Sequence, residues 1–90
     1  MWRVVWSDEA ASQAVEVQAY IADWNESAAF RMGQRFAALA ELLSRSPHVG
    51  RPVAPGLREL TTIRPYIVRY AVEADRVVIL RIRHGAQVPD

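Results

Sequence analysis

The protein is a chain of 90 residues with eleven basic side chains, all arginine, ten acids, a formal net charge of +1 and no cysteine. Although 51 % of it is apolar, no stretch approaches the roughly 18 apolar residues that span a bilayer, and the N-terminus lacks the basic-then-apolar pattern of a secretion signal. This composition excludes disulfide frameworks, thiolate metal sites and lysine-based chemistry, and it leads us to expect a soluble, cytoplasmic protein forming one domain over residues 1–90.

In chain order, the β-branched and aromatic run Trp2 to Trp6 predicts a short strand. Ser7 is a helix N-cap candidate, with Asp8 and Glu9 in the first turn where the helix dipole favours acids. Val17, Tyr20, Ile21 and Trp24 fall at i, i+3, i+4 and i+7, which predicts the apolar face of a helix from about 8 to 24. Asn25–Ser27 breaks it, and Ser27 is expected to cap a second helix whose stripe is Met32, Phe36, Leu39, Ala40 and Leu43. The short link makes the two helices antiparallel neighbours. The proline- and glycine-rich segment 44–56 reads as a loop. Leu57–Thr62 then predicts a strand, followed by the two strands of "PYIVRYAVEADRVVILRIRHGAQ", residues 65–87.

The order is therefore β-α-α-β-β-β, an α+β fold in which an antiparallel sheet, joined by the N-terminal strand, carries the helical hairpin on one face. Pairing Val72 with Val78, Tyr70 with Leu80 and Val68 with Ile82 gives the last hairpin a consistent apolar face, with an odd loop or bulge near Glu73–Arg76. Ile67, Arg69, Ala71, Ile79, Arg81 and Arg83 then line the opposite face. Charge follows the same division. Residues 1–45 hold four arginines and six acids (−2), whereas residues 46–90 hold seven arginines and four acids (+3), a bias that suits an anionic partner.

The two histidines, His48 and His84, are not spaced with acids as metal ligands would be, so no metal site is expected. "GRPVAPG" places prolines where a phosphate cradle needs backbone N–H groups. Acid–base cleavage of RNA is the one enzymatic chemistry for which residues exist. His84, Arg81, Arg83, Arg64 and Tyr66 at one end of the sheet would supply the acid, base and cations. The competing assignment has His84 closing the last strand while the arginines pair with Glu59, Glu73 or a partner protein.

Gly50-Arg51-Pro52, Gly56-Leu57-Arg58-Glu59-Leu60, Pro65-Tyr66 opening a Tyr-x-x-x-Tyr strand, and the apolar run Val77–Ile82 leading into His84-Gly85 follow Trp6-Ser7-Asp8-Glu9-Ala10 and the helical hairpin. In this order and spacing the chain resembles the toxins of the RelE/ParE superfamily of bacterial type II toxin–antitoxin systems, whose element order matches the one above. The resemblance implies one of two activities. RelE-type members cut mRNA on the ribosome, using several lysines and arginines, an Arg directly after the first strand tyrosine, and often a C-terminal tyrosine. Here Ile67 follows Tyr66, lysine is absent, no tyrosine follows Tyr70, and Gln87 stands at a position often basic in the nucleases. These departures favour the ParE type, which arrests growth by binding DNA gyrase. His84 sustains the nuclease alternative, and an inactive member that only binds its antitoxin is a third reading.

The resemblance also implies a cognate antitoxin with a DNA-binding N-terminal domain, so that operator DNA is reached only through it, and an acidic or amphipathic C-terminal segment. Arg69, Arg81, Arg83 and Ile79 are the expected partner-binding set, because arginine forks match carboxylates. No cofactor or membrane is implied.

Overall fold

The computed structural model of the protein describes residues 1–86; Gln87 lies outside them. Two helices and five strands follow in the order β1 (Arg3–Trp6), α1 (Asp8–Ala22), α2 (Glu26–Arg45), β2 (Arg51–Ala54), β3 (Leu57–Leu60), β4 (Tyr66–Val72) and β5 (Arg76–His84). The sheet order is β1-β5-β4-β3-β2. β1 runs parallel to β5, and the other neighbours are antiparallel. The expected β-α-α-β-β-β architecture is present with one strand more.

That extra strand is β2, inside the segment expected to be loop. Its pairing partner is β3, with Arg51 opposite Glu59 and Pro52 opposite Arg58. Pro52 cannot donate a ladder hydrogen bond, so the strand is tolerated only at the sheet edge, and all four residues are exposed. Gly56, at φ 73°, turns the chain into β3 in a conformation that an L side chain resists. Gly50 is needed for a different reason: a Cβ there would lie 2.7 Å from both the Glu59 carbonyl oxygen and the Tyr70 hydroxyl.

Ser7 caps α1 as expected, accepting from the Ala10 N–H at 3.0 Å, while its own hydroxyl donates to the Leu80 carbonyl at 2.8 Å. The cap of α2 is Asn25 rather than Ser27: its side chain accepts from the Ala28 N–H at 2.9 Å, and the helix begins at Glu26. Met32, Phe36, Leu39 and Leu43 are buried, with Ala40 packed beside them. Trp6 meets Phe36 edge-on at 6.3 Å. α1 is rotated relative to expectation. Its inward stripe is Ala10, Ala14, Val17 and Ile21, with the two alanines at the end where the helix is anchored to the sheet through Ser7. Tyr20 and Trp24 are left 65 % and 80 % exposed.

The β4–β5 ladder changes register part-way along. At the open end Tyr66 pairs with His84 and Val68 with Ile82, as expected; at the turn Tyr70 pairs with Ile79 and Val72 with Val77. A bulge between them makes Leu80 the extra residue of β5. The expected pairs of Val72 with Val78 and Tyr70 with Leu80 are therefore displaced by one. Ile79, assigned to the partner-facing side, is fully buried in the core with Val68, Tyr70 and Val77. The bulge satisfies two demands that a regular ladder could not meet together: an apolar face along the whole hairpin and arginines kept off it.

Ile79→Ala should therefore cost about 2–5 kcal/mol, and Leu80→Ala clearly less, measured by urea denaturation of the two variants. The opposite order would place Leu80 in the core and remove the bulge.

Candidate functional site

The arginines of the C-terminal half are largely engaged within the fold. Glu59 on β3 is only 3 % exposed and lies on the sheet face away from the helices. Its Oε1 accepts from Arg51 Nη2 at 3.1 Å, and its Oε2 from Arg69 Nε and Nη2 at 3.1 and 3.0 Å. Arg83 Nη2 stands 3.7 Å from the same Oε2 and is 6 % exposed as a residue. Arg51, Glu59 and Arg69 are direct cross-strand partners, and Arg83 reaches in diagonally from beside Arg81. Four consecutive strands each contribute one charge, so this row ties the sheet together. Burial by itself would raise the Glu59 pKa; the hydrogen bonds from Arg69 and Arg51 and the charges of Arg69 and Arg83 outweigh it and hold the carboxyl below its ordinary 4.5. The expectation of an open arginine face is thus corrected: Arg83 is buried, while Arg51 is exposed and Arg69 partly so.

Arg81 takes another path. Its backbone pairs with Arg69, yet its Nε lies 3.6 Å from Glu9 Oε2 at the start of α1. It lines a groove of about 190 Å³ with Gln13, Glu16 and Val17 of α1 and Tyr66, Ile82 and His84 of the strands. Among the described residues β1 pairs only with Arg76–Ile79, so the last part of β5 has no strand on that side, and the groove opens there. Gln13 substitutes for one by accepting from the Ile82 N–H at 2.6 Å. Tyr66 and His84, cross-strand partners, contact each other edge to face at 5.7 Å.

Of the five candidate nuclease residues, Tyr66, His84 and Arg81 share this groove. Arg83 belongs to the Glu59 network, and Arg64 is exposed in the β3–β4 connection and does not line the groove. Ile67, where RNA-cutting relatives were expected to carry a base, pairs with Arg83. Sequence reasoning did name Glu59 as a partner for the arginines but did not see it as their common centre. It missed Arg51, Gln13 and Glu16. The first was hidden by the unrecognised strand β2; the others become visible only when α1 is placed along the free edge of β5. Among the described residues no group of three or more His, Asp or Glu is placed to hold a metal ion, and no helix is long and apolar enough to cross a membrane.

Residues 4–89 match the family model described as the ParE toxin of the type II toxin–antitoxin system parDE. The chain belongs to the ParE toxin family. It is also similar to "Toxin RelE2" of Caulobacter vibrioides, with 38 % identity over 88 residues covering 98 % of this chain and all of that one. Among solved structures it is similar to a chain of the chromosomal ParDE toxin–antitoxin system from P. aeruginosa, at 26 % identity and a TM-score of 0.79, covering 93 % of this chain and 96 % of that one. The family match gives the fold and the toxin class, and in this ParE-family member the groove and the arginine row are candidate sites.

Because the folded-state pKa of Glu59 is depressed, its contribution to stability is fully present above about pH 4.5 and lost as the pH falls through the lowered value. Glu59→Gln should flatten that acid limb in unfolding curves taken from pH 7 to pH 3. Glu59→Ala should destabilise by about 3–5 kcal/mol at pH 7, because it removes the buried carboxylate on which three guanidinium groups converge. An acid limb unchanged in Glu59→Gln would remove the network from the stability of the sheet.

Proposed function

We propose that the chain is the toxin of a type II toxin–antitoxin pair that arrests growth by binding DNA gyrase, and that a cognate antitoxin neutralises it. The observation that carries the choice of a protein target over RNA is the charge of the groove. Cleavage through the ribose 2′-hydroxyl develops negative charge on phosphorus and needs cations aimed at it. Here Glu16 lines the groove, and Glu9 already faces Arg81, its guanidinium. One carboxylate in the lining and a second 3.6 Å from the groove's guanidinium oppose RNA binding. Arg83, which would be the second cation, is held by Glu59 on the other side of the sheet. The match to the ParE family model supports the same choice.

The ParDE neighbour supports an antitoxin partner. For that partner Arg51 and Arg69 offer the exposed part of the Glu59 network, where a carboxylate of the antitoxin could join Glu59 on their guanidinium groups. Arg81 remains a second contact from the groove, whereas Arg83 acts by holding Glu59 and Ile79 has no part in it.

One observation favours the nuclease reading: Tyr66 and His84 stand together in a groove beside a guanidinium, as an acid–base pair would. The relative named Toxin RelE2 lends it further support.

Expression of the chain alone should arrest growth, and co-expression of its antitoxin should relieve the arrest. Purified protein should inhibit gyrase supercoiling and leave mRNA on ribosomes intact, with His84→Ala as inhibitory as the wild type. Codon-specific mRNA cutting that disappears in His84→Ala would replace this reading with the nuclease.

A further inference from the structure

The first helix itself carries none of the arginines. Between Arg3 and Arg31 the chain holds five acids, Asp8, Glu9, Glu16, Asp23 and Glu26, and no basic residue. All five are exposed, and among the described residues only Glu9 is ion-paired, to Arg81. Within this stretch Glu16, Tyr20 and Trp24 are four residues apart, so they stand along one side of α1 and of the turn that ends it, with Asp23 beside them. Tyr20 and Trp24 are among the most exposed large apolar side chains in the protein. Single exposed apolar residues are ordinary, but two neighbouring aromatics set among unpaired acids form the kind of cluster that dominates protein interfaces.

We propose that this acidic–aromatic stripe is the surface on which the toxin meets its protein target, and that the target presents to it a basic segment with apolar side chains between the charges. The proposal rests on the preceding reading only in taking the target to be a protein. Charge complementarity selects the occupant. Cationic side chains would pair with Glu16, Asp23 and Glu26 and stack on the faces of Tyr20 and Trp24, where the ring quadrupole attracts them. An acidic segment suited to Arg51 and Arg69 would be repelled here, so one partner chemistry does not serve both surfaces. The toxin thus has two faces of opposite sign, the sheet for its antitoxin and the α1 stripe for its target.

Two double variants test this, Tyr20→Ser with Trp24→Ser and Asp23→Lys with Glu26→Lys. Their positions are exposed, so both should fold with wild-type circular dichroism. Binding to purified gyrase and to the antitoxin would be measured by calorimetry. A synthetic lysine–leucine amphipathic helix and its glutamate–leucine counterpart would be titrated against tryptophan emission. Both variants should bind gyrase roughly tenfold more weakly or worse, with antitoxin affinity unchanged. The lysine–leucine peptide should shift wild-type emission to the blue, neither variant should respond, and the glutamate–leucine peptide should have no effect. Wild-type gyrase affinity in both variants would overturn the proposal, as would a parallel loss of antitoxin binding. So would wild-type self-association that the variants lose, since the occupant would then be a second copy of this chain. If the wild-type chain itself ignores gyrase, the gyrase reading fails and the peptide pair decides the stripe: binding of both peptides alike, or of neither, overturns it.

Discussion

The bulge at Leu80 is the constraint on which the rest of this small fold depends. In a two-residue-periodic strand, apolar residues and arginines that are out of phase cannot both find their proper faces. Val77 and Ile79 occupy one phase and Ile82 the other. Inserting Leu80 as an unpaired residue restores a single core face on β5. It also sends the Leu80 carbonyl to Ser7, the N-cap of α1, so the defect in the ladder becomes the point where the helical hairpin is anchored to the sheet.

From that anchor follow both candidate sites. On one side, the phase of β4 and β5 beyond the bulge aligns Arg69 and Arg83 with Glu59, and β2 adds Arg51. A carboxylate buried among arginines gives little net stability over an apolar alternative, but it fixes register, because a one-residue slip would strand a charge. On the other side, β5 extends past β1, and the side chains of α1 cover the gap: Gln13 takes the Ile82 N–H, and Glu9 faces Arg81. Among the described residues no strand lies beside that part of β5, and the one acid lining the groove, Glu16, comes from the first helix rather than from the sheet.

The distribution of charge also changes meaning once partners are known. The +3 of the C-terminal half suggests an anion-seeking surface, yet much of it is consumed inside. Arg58 donates to the carbonyls of His48 and Gly50, pinning the chain before β2, and Arg76 pairs with Glu73 across the β4–β5 turn. What remains available to a partner is a few guanidinium edges on the sheet and, opposite in sign, the unpaired acids of α1.

Much of the architecture was determined by local sequence. Ser7 before two acids started a helix, the stripe Met32–Phe36–Leu39–Leu43 defined its partner, and the β-branched runs marked the strands, because these signals act over a turn or a pairing and need no distant information. The motifs Gly56-Leu57-Arg58-Glu59-Leu60 and His84-Gly85 carried the family as well. Only the tertiary structure decided three other matters. β2 is a strand because β3 lies beside it, not because Arg-Pro-Val-Ala favours one. α1 turns Ala10, Ala14, Val17 and Ile21 inward and leaves Tyr20 and Trp24 exposed, an orientation fixed by its packing on the sheet and α2 rather than by its own periodicity. And Arg83 is buried beside Glu59 while Arg81, two residues away on the same strand, reaches the helix, since the bulge and the end of β1 set which neighbour each guanidinium can touch.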